Sequence, residues 1–200
     1  MKPASENTRA VPARSAMQDV MPAADTITVG LVACGKTKTP TPSPARALYT
    51  GELFRRVSAF AEQTCDAWFI LSAKHYLVHP DEILEPYDRT LAEMSAADRR
   101  HWGWTVESDI RLGFGKNAVG REWPPAHPRL LLGRWIDDGR KRGVERTVDL
   151  YFHAGAAYVD PIANRLRGSR WARVHAPLAG LGIGERLAWY DAHRSSPGAA

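Results

Sequence analysis

Nine chemically versatile side chains crowd into one short stretch: Lys74, His75, His79, Asp81, Glu82, Glu85, Tyr87, Asp88 and Arg89. Carboxylates beside a lysine and a histidine are the raw material of acid–base catalysis, because each group tunes the proton affinity of the next. Leu77, Val78, Ile83, Leu84 and Pro86 are interleaved with them. A freely solvated loop carries few such anchors, so this one is expected to fold against the body and hold its polar groups in place. Lys74, His75, Glu85 and Asp88 are therefore the candidate catalytic residues, with Ser72 and Tyr87 as ligand contacts. The same groups can also form a structural ion-pair network that pins the loop, which is the alternative to the favoured functional reading. His75 and His79 are four apart, a spacing at which two imidazoles on a helix share a zinc. Pro80 argues against a helix there, H-E-x-x-H is absent, and Cys34 and Cys65 lack ligand spacing, so no metal is expected.

A second set lies in the run ACGKTK at 33–38. Lys36 and Lys38, beside the exposed backbone amides of Cys34 and Gly35, suit a phosphate or carboxylate. The bland alternative is a small buried cysteine and two solvated lysines. A neighbouring lysine lowers a thiol pKa, but nothing nearby supplies a paired base, so Cys34 is expected to be structural. A third set is GLGIG at 180–184, just before Glu185 and Arg186. There Gly182 lets backbone approach a ligand closely, and a following helix N-terminus favours an anion. A tight turn that packs helix on sheet explains it as well. Gly155, flanked by His153 and Tyr158, is similarly ambiguous. Neither G-x-x-x-x-G-K-[ST] nor G-x-G-x-x-G occurs, so no nucleotide cofactor is expected. Trp123, near Arg121, has the chemistry to stack on a base or to cover a sheet edge. Most of the other tryptophans are expected in the core.

These sets must be positioned by the elements around them. TITVGLVAC at 26–34 is a near-continuous β-branched run, which predicts a central strand covered on both faces. The Pro-rich segment 36–46 predicts a loop and excludes helix. Thr50 is a plausible N-cap for a helix to about residue 63, with Leu53, Val57, Phe60 and Ala61 as its apolar stripe. AWFILS at 67–72 predicts a second strand, and the polar-aromatic loop follows over 73–90. Ser95 with Asp98 resembles a capping box for a helix to about residue 112, lined by Trp102, Val106 and Ile110. Residues 113–128 break every periodicity. A helix over 129–141, a strand over 147–153, a short helix with Tyr158, Ile162 and Leu166, a strand over 171–176 and a final helix complete the pattern. Strands alternating with helices predict a three-layer, doubly wound α/β sheet, mostly parallel, of about four strands. Ligands of such sheets sit at the carboxyl ends of the strands, where the three sets fall.

The chain has 200 residues, 44% of them hydrophobic and 24% charged, with formal net charge +5. Those values describe one globular domain and exclude collagen, a largely disordered chain and a disulfide knot. Residues 1–25 balance Lys2, Arg9 and Arg14 against Glu6, Asp19 and Asp25, so the folded part carries the charge. They are expected to be a disordered tail, followed by a single α/β domain over 26–194 and a frayed end at 195–200. No apolar run approaches the roughly 20 residues of a membrane span. With no apolar leader and only two cysteines, a reducing cytoplasm is expected, with no membrane partner. A basic surface permits a nucleotide or nucleic-acid partner.

LVACGKTK, PARALYTGELFRRVSAFAE, WFILSAKHYLVHPDEILEPYDRTLAEMS, HAGAAYVDPIANRL and PLAGLGIGERLAWY together resemble the DUF6884 family of uncharacterised bacterial and phage proteins, across about residues 27–190. Tyr49, within the second of these runs, joins the candidate ligand contacts. The stretch ILSAKHYLVHPDEILEPYD more distantly resembles the YaaA (DUF328) family, which is linked to DNA binding and peroxide stress. Related domains occur near enzymes of DNA and tRNA base modification. The resemblance implies nucleic-acid or nucleobase metabolism. Two functions follow as expectations: an enzyme acting on a nucleotide, nucleoside or base, or a non-catalytic DNA-binding protein. The second would use an Arg-rich surface of Arg55, Arg56, Arg99, Arg100 and 140–142. Tyr76 stands where the K-H-G-L pattern has glycine, so a turn needing positive φ would be strained there.

Overall fold

The computed structural model of the chain describes residues 25–112 and 128–193. The expectations for the N-terminal tail, for the 113–128 excursion with Arg121 and Trp123, and for the frayed C-terminus fall essentially outside these. In chain order the elements are β1 (Thr26–Ala33), β2 (Ser43–Pro44), α1 (Ala45–Leu48), α2 (Glu52–Thr64), β3 (Ala67–Ser72), β4 (Tyr76–Val78) and β5 (Ile83–Leu84). A 3₁₀ turn at Leu91–Glu93 precedes α3 (Ala96–Leu112), α4 (Pro128–Lys141), β6 (Thr147–His153), α5 (Ala156–Leu166), β7 (Ala172–His175) and α6 (Ile183–Ala192).

The main sheet has five strands in the order β4-β3-β1-β6-β7, parallel except for β4, which pairs antiparallel with β3. This is the expected three-layer, mostly parallel α/β architecture. Ile27, Val29 and Leu31 of β1 join Phe69, Leu71, Leu150 and Phe152 in a core with α3, α4 and α5. The intervening side chains, among them Val32, Trp68 and Ile70, meet α1, α2 and α6 on the other face. Gly30 opens that second face: a Cβ there would lie 3.0 Å from Ala61 Cβ, so its absence lets α2 settle onto β1. Among the described residues no helix is long and apolar enough to cross a membrane.

Several local expectations need correction. Residues 36–46 are not all loop: Ser43–Pro44 form β2, and α1 begins at Ala45, with Pro44 as its N-cap at φ −52° and ψ 137°. Lys38 also bridges to Tyr49, and Thr50 donates its amide to Thr37 O, so the N-cap of α2 is Gly51 rather than Thr50. The fully buried residues of α2 are Phe54, Val57 and Ala61, while Leu53 and Phe60 are half-buried. The loop 73–90 contains β4 and β5, the latter paired with β2. Ser95 and Asp98 do cap α3, with Asp98 N donating to Ser95 Oγ at 3.1 Å and the hydroxyl donating back at 2.8 Å. Tyr76 has φ 60°, the only positive value on a non-glycine residue among those described. The turn therefore does need the left-handed conformation, and tyrosine carries the strain.

Candidate ligand-binding site

The chain leaves β1 through α2 and returns as β3 on one side, then crosses to β6 on the other. The helices leaving β1 and β6 pack on opposite faces, α2 on one and α5 on the other. Such a reversal of strand order opens a crevice at the carboxyl ends of the two strands. A cleft of about 410 Å³ lies there, lined by Cys34, Gly35 and Lys36 from β1's exit and by His153 and Ala154 from β6. Thr37, Glu52, and Arg186 and Tyr190 of α6 complete its polar lining, and Leu53, Phe54, Val57, Leu178 and Leu187 contribute its apolar wall.

His153 anchors this cleft. Its Nδ1 is 2.7 Å from the Tyr190 hydroxyl, and the Phe60 ring stands edge-on to it at 5.5 Å. Its Nε2 is buried without a partner among the described residues. Burial lowers its pKa to about 4, so the ring is neutral near pH 7. If the phenol donates to Nδ1, Nε2 is an N–H donor facing no acceptor; in the other tautomer it is an open acceptor. Arg186 donates from Nε to Leu181 O at 2.8 Å and pairs with no carboxylate among the described residues. A Cβ on Gly155 would stand 3.6 Å from its guanidinium, so that glycine leaves the approach open. The Lys36 side chain is exposed and makes no hydrogen bond or ion pair with a described residue. Gly182 does not present a free amide: it caps α6 and donates to Glu185 Oε2 at 2.7 Å.

On the other side of β1, where β3 ends, a chain of hydroxyls runs along the same rim. Ser72 Oγ is 2.7 Å from the Tyr87 hydroxyl, which is 2.9 Å from the Tyr49 hydroxyl. Lys38 Nζ lies 4.3 Å from the centre of the Tyr87 ring, and Lys74 Nζ 5.6 Å. Burial first, and the neighbouring Cys34 second, push both phenols well above the ordinary tyrosine pKa, so they stay protonated. His75 stands edge-on to Tyr87 at 5.1 Å with its own Nε2 buried and unpartnered. Its pKa falls to about 4, through burial and then the nearby Lys74 charge. Cys34 joins the two halves of the rim. It lines the cleft, and its Sγ is 3.2 Å from the hydroxyl of Tyr158, a phenol also raised by burial.

The first two strand exits therefore do meet, as parallel topology requires: Lys38 and Lys74 share one tyrosine with His75 and Ser72. Glu85 and Asp88 behave differently. Both are exposed, and neither makes a hydrogen bond or ion pair with any described residue. Lys74 makes no ion pair with a carboxylate among the described residues, but the structural alternative is met in part, because Asp81 ties this loop to Arg46 at 2.8 Å. The ion pairs drawn from this loop run through Asp81, to Arg46 and His79. No described group of three His, Cys, Asp or Glu is placed to hold a metal. Sequence reasoning passed over Arg186 and Tyr190, although the glycine-rich turn before them was noticed. Their relevance depends on α6 folding back beside β1, which no local pattern encodes. A family model matches residues 29–118 and 126–192; it is DUF6884, described as a family of unknown function. No curated protein matches, and no solved structure does.

Proposed function

The chain belongs to the DUF6884 family, and from its own residues we propose that it binds and acts on a nucleotide, free or at the end of a nucleic acid. The phosphate lies between Lys36 and Arg186, and the nucleoside lies along the apolar wall of the cleft. The observation that carries this reading is the pair of cations, neither ion-paired with a described carboxylate, lining a cleft placed where strand order reverses; Glu52, the carboxylate in that lining, is paired with Arg56. Its volume of about 410 Å³ is within the usual range for small-molecule sites. A cationic mouth and an apolar wall suit an amphipathic ligand: an anionic head with a flat body. The neutral His153 supplies one hydrogen bond to a base edge without burying a charge. Being unprotonated at neutral pH, it is also able to accept a proton.

Titration of the full chain with adenosine and guanosine 5′-monophosphates tests this. Removing one charge-assisted contact costs about 1.5–3 kcal/mol, so Arg186→Met should weaken binding by roughly 10- to 150-fold. Lys36→Met should act in the same direction. Affinity that ignores both substitutions, or a wild-type protein that binds neither nucleotide at millimolar concentration, refutes the reading.

A further inference from the structure

The hydroxyl chain beside β3 does not line the described cleft, and its hydrogen bonds do not close. Ser72 Oγ accepts from the amides of Lys74 at 3.2 Å and His75 at 2.9 Å. Both its lone pairs are thus in use, so its own hydrogen goes to Tyr87. Ser72, Tyr87 and Tyr49 bring three hydroxyl hydrogens to two oxygen–oxygen contacts. Whichever way the phenols point, one hydrogen is left over. Tyr49 is 1% exposed whereas Tyr87 is half-buried, so Tyr87 is the member that reaches the rim.

The surrounding charges are equally incomplete. Lys38 Nζ donates to Lys36 O at 3.2 Å, and Lys74 Nζ, beyond its place over the Tyr87 ring, makes no hydrogen bond or ion pair with a described residue. Both sit around one ring, so the two ammonium nitrogens are at most about 10 Å apart, and neither makes an ion pair with a described carboxylate; the buried Glu82 carboxylate acts on the chain from the side of Tyr49, whose pKa it helps to raise. Beside them, His75 is 8% exposed and its Nε2 has no partner. Buried polar groups are normally satisfied, and like charges normally separate. A spare hydroxyl donor, two cations without an ion pair, and an imidazole nitrogen that is an N–H donor in one of its two neutral tautomers can all be answered by the same partner, an oxyanion.

We propose that Tyr87, Lys38 and Lys74 form a second anion subsite for a phosphoryl group, distinct from the Lys36–Arg186 mouth, so that the rim holds two phosphoryl groups at once. The nucleotide reading supplies the ligand that joins them; the subsite itself rests on its own residues. The second group comes either from a second phosphate on the same nucleotide or from a separate phosphorylated co-ligand.

Inorganic phosphate is the probe, read by the imidazole NMR signals of His75 and His153 in the full chain. In wild type and in a Lys36→Met/Arg186→Met variant, phosphate should shift the His75 signals with similar affinity. Lys38→Met/Lys74→Met should weaken that response about tenfold or more. These lysines are not core residues, so the fold is expected to survive. Tyr87→Phe should weaken it as well. The proposal is overturned if His75 does not respond, if its response survives loss of both lysines, or if it disappears with the Lys36/Arg186 variant. A His75 response without nucleotide binding would refute the nucleotide reading and leave the subsite standing. A nucleoside 3′,5′-bisphosphate that outbinds the 5′-monophosphate, with the gain lost in the Lys38/Lys74 variant, identifies one doubly phosphorylated ligand. Phosphate and monophosphate bound together without competition identify two ligands.

Discussion

His75 and His153 are each more than nine-tenths buried, and each holds its pKa near 4 against an ordinary 6.5. In the unfolded chain both take up a proton near pH 6.5, whereas in the folded chain neither does until about pH 4. The unfolded state therefore binds more protons between these values. The stability in question is fully present above pH 6.5 and is lost as pH falls toward 4. The melting temperature should fall across that window, and His75→Gln and His153→Gln should each flatten the fall by about one proton's worth. A slope unchanged by both substitutions would mean that the rings are already charged in the native state. At this scale the sequence was a partial guide. Residue type marked Lys38, Lys74, His75 and Tyr87, because lysine, histidine and tyrosine crowded at a strand exit have few structural uses. It also marked Glu85 and Asp88, whose exposure is set by where β5 pairs and not by anything in the residues themselves. Tyr49 was singled out through family resemblance alone. Its role in the hydroxyl chain depends on a partner 38 residues away.

Elements with strong local signals were legible, and those held together by distant partners were not. The β-branched run of β1, the apolar run of β3 and the Ser95–Asp98 cap are local, and each formed as read. By contrast β2, β4 and β5 are two or three residues long and exist through pairing across the fold. Their sequences carry no period to detect. The turn into β4 shows how tertiary pairing prevails over local preference: Tyr76 keeps φ 60° because Ser72 pairs with Tyr76 across it. The contact between α3 and α5 makes a further test at this scale. A Cβ on Gly103 would stand 2.6 Å from both Pro161 Cβ and Pro161 O, and the backbone carbonyl has little room to yield. Gly103→Ala should destabilise by about 1–3 kcal/mol, lowering the melting temperature by several degrees. Gly184, also helical, would present its Cβ to open space. Gly184→Ala should therefore raise stability by roughly 0.5–1 kcal/mol through helix propensity alone. Opposite signs from one chemical change isolate packing as the cause; equal signs would refute the close helix contact.

The molecule's charge bears on the nucleic-acid expectation through its distribution more than its total. The formal +5 belongs to residues 26–200, since the charges of residues 1–25 balance to zero. Much of the proposed arginine surface is already neutralised in place. Arg56 pairs with Glu52 and Asp191, Arg140 with Asp137, and Arg142 with Asp138. Arg55 and Arg100 remain exposed but lie on α2 and α3, which cover opposite faces of the sheet and cannot present one footprint. The unopposed cations that do converge are Lys36, Lys38, Lys74 and Arg186, all on the carboxyl rim. A rim with four cations contacts at most about four phosphates, so a single strand should bind with a log–log salt slope no steeper than about −3. Lys74→Met should reduce that slope by roughly 0.7, whereas Arg140→Met should leave it unchanged, because its charge is already answered by Asp137. Fluorescence anisotropy of a labelled oligonucleotide across a salt series measures both. A steeper slope, or one that falls equally with either substitution, would place the contacts over the helical faces and return the protein to the non-catalytic DNA-binding reading.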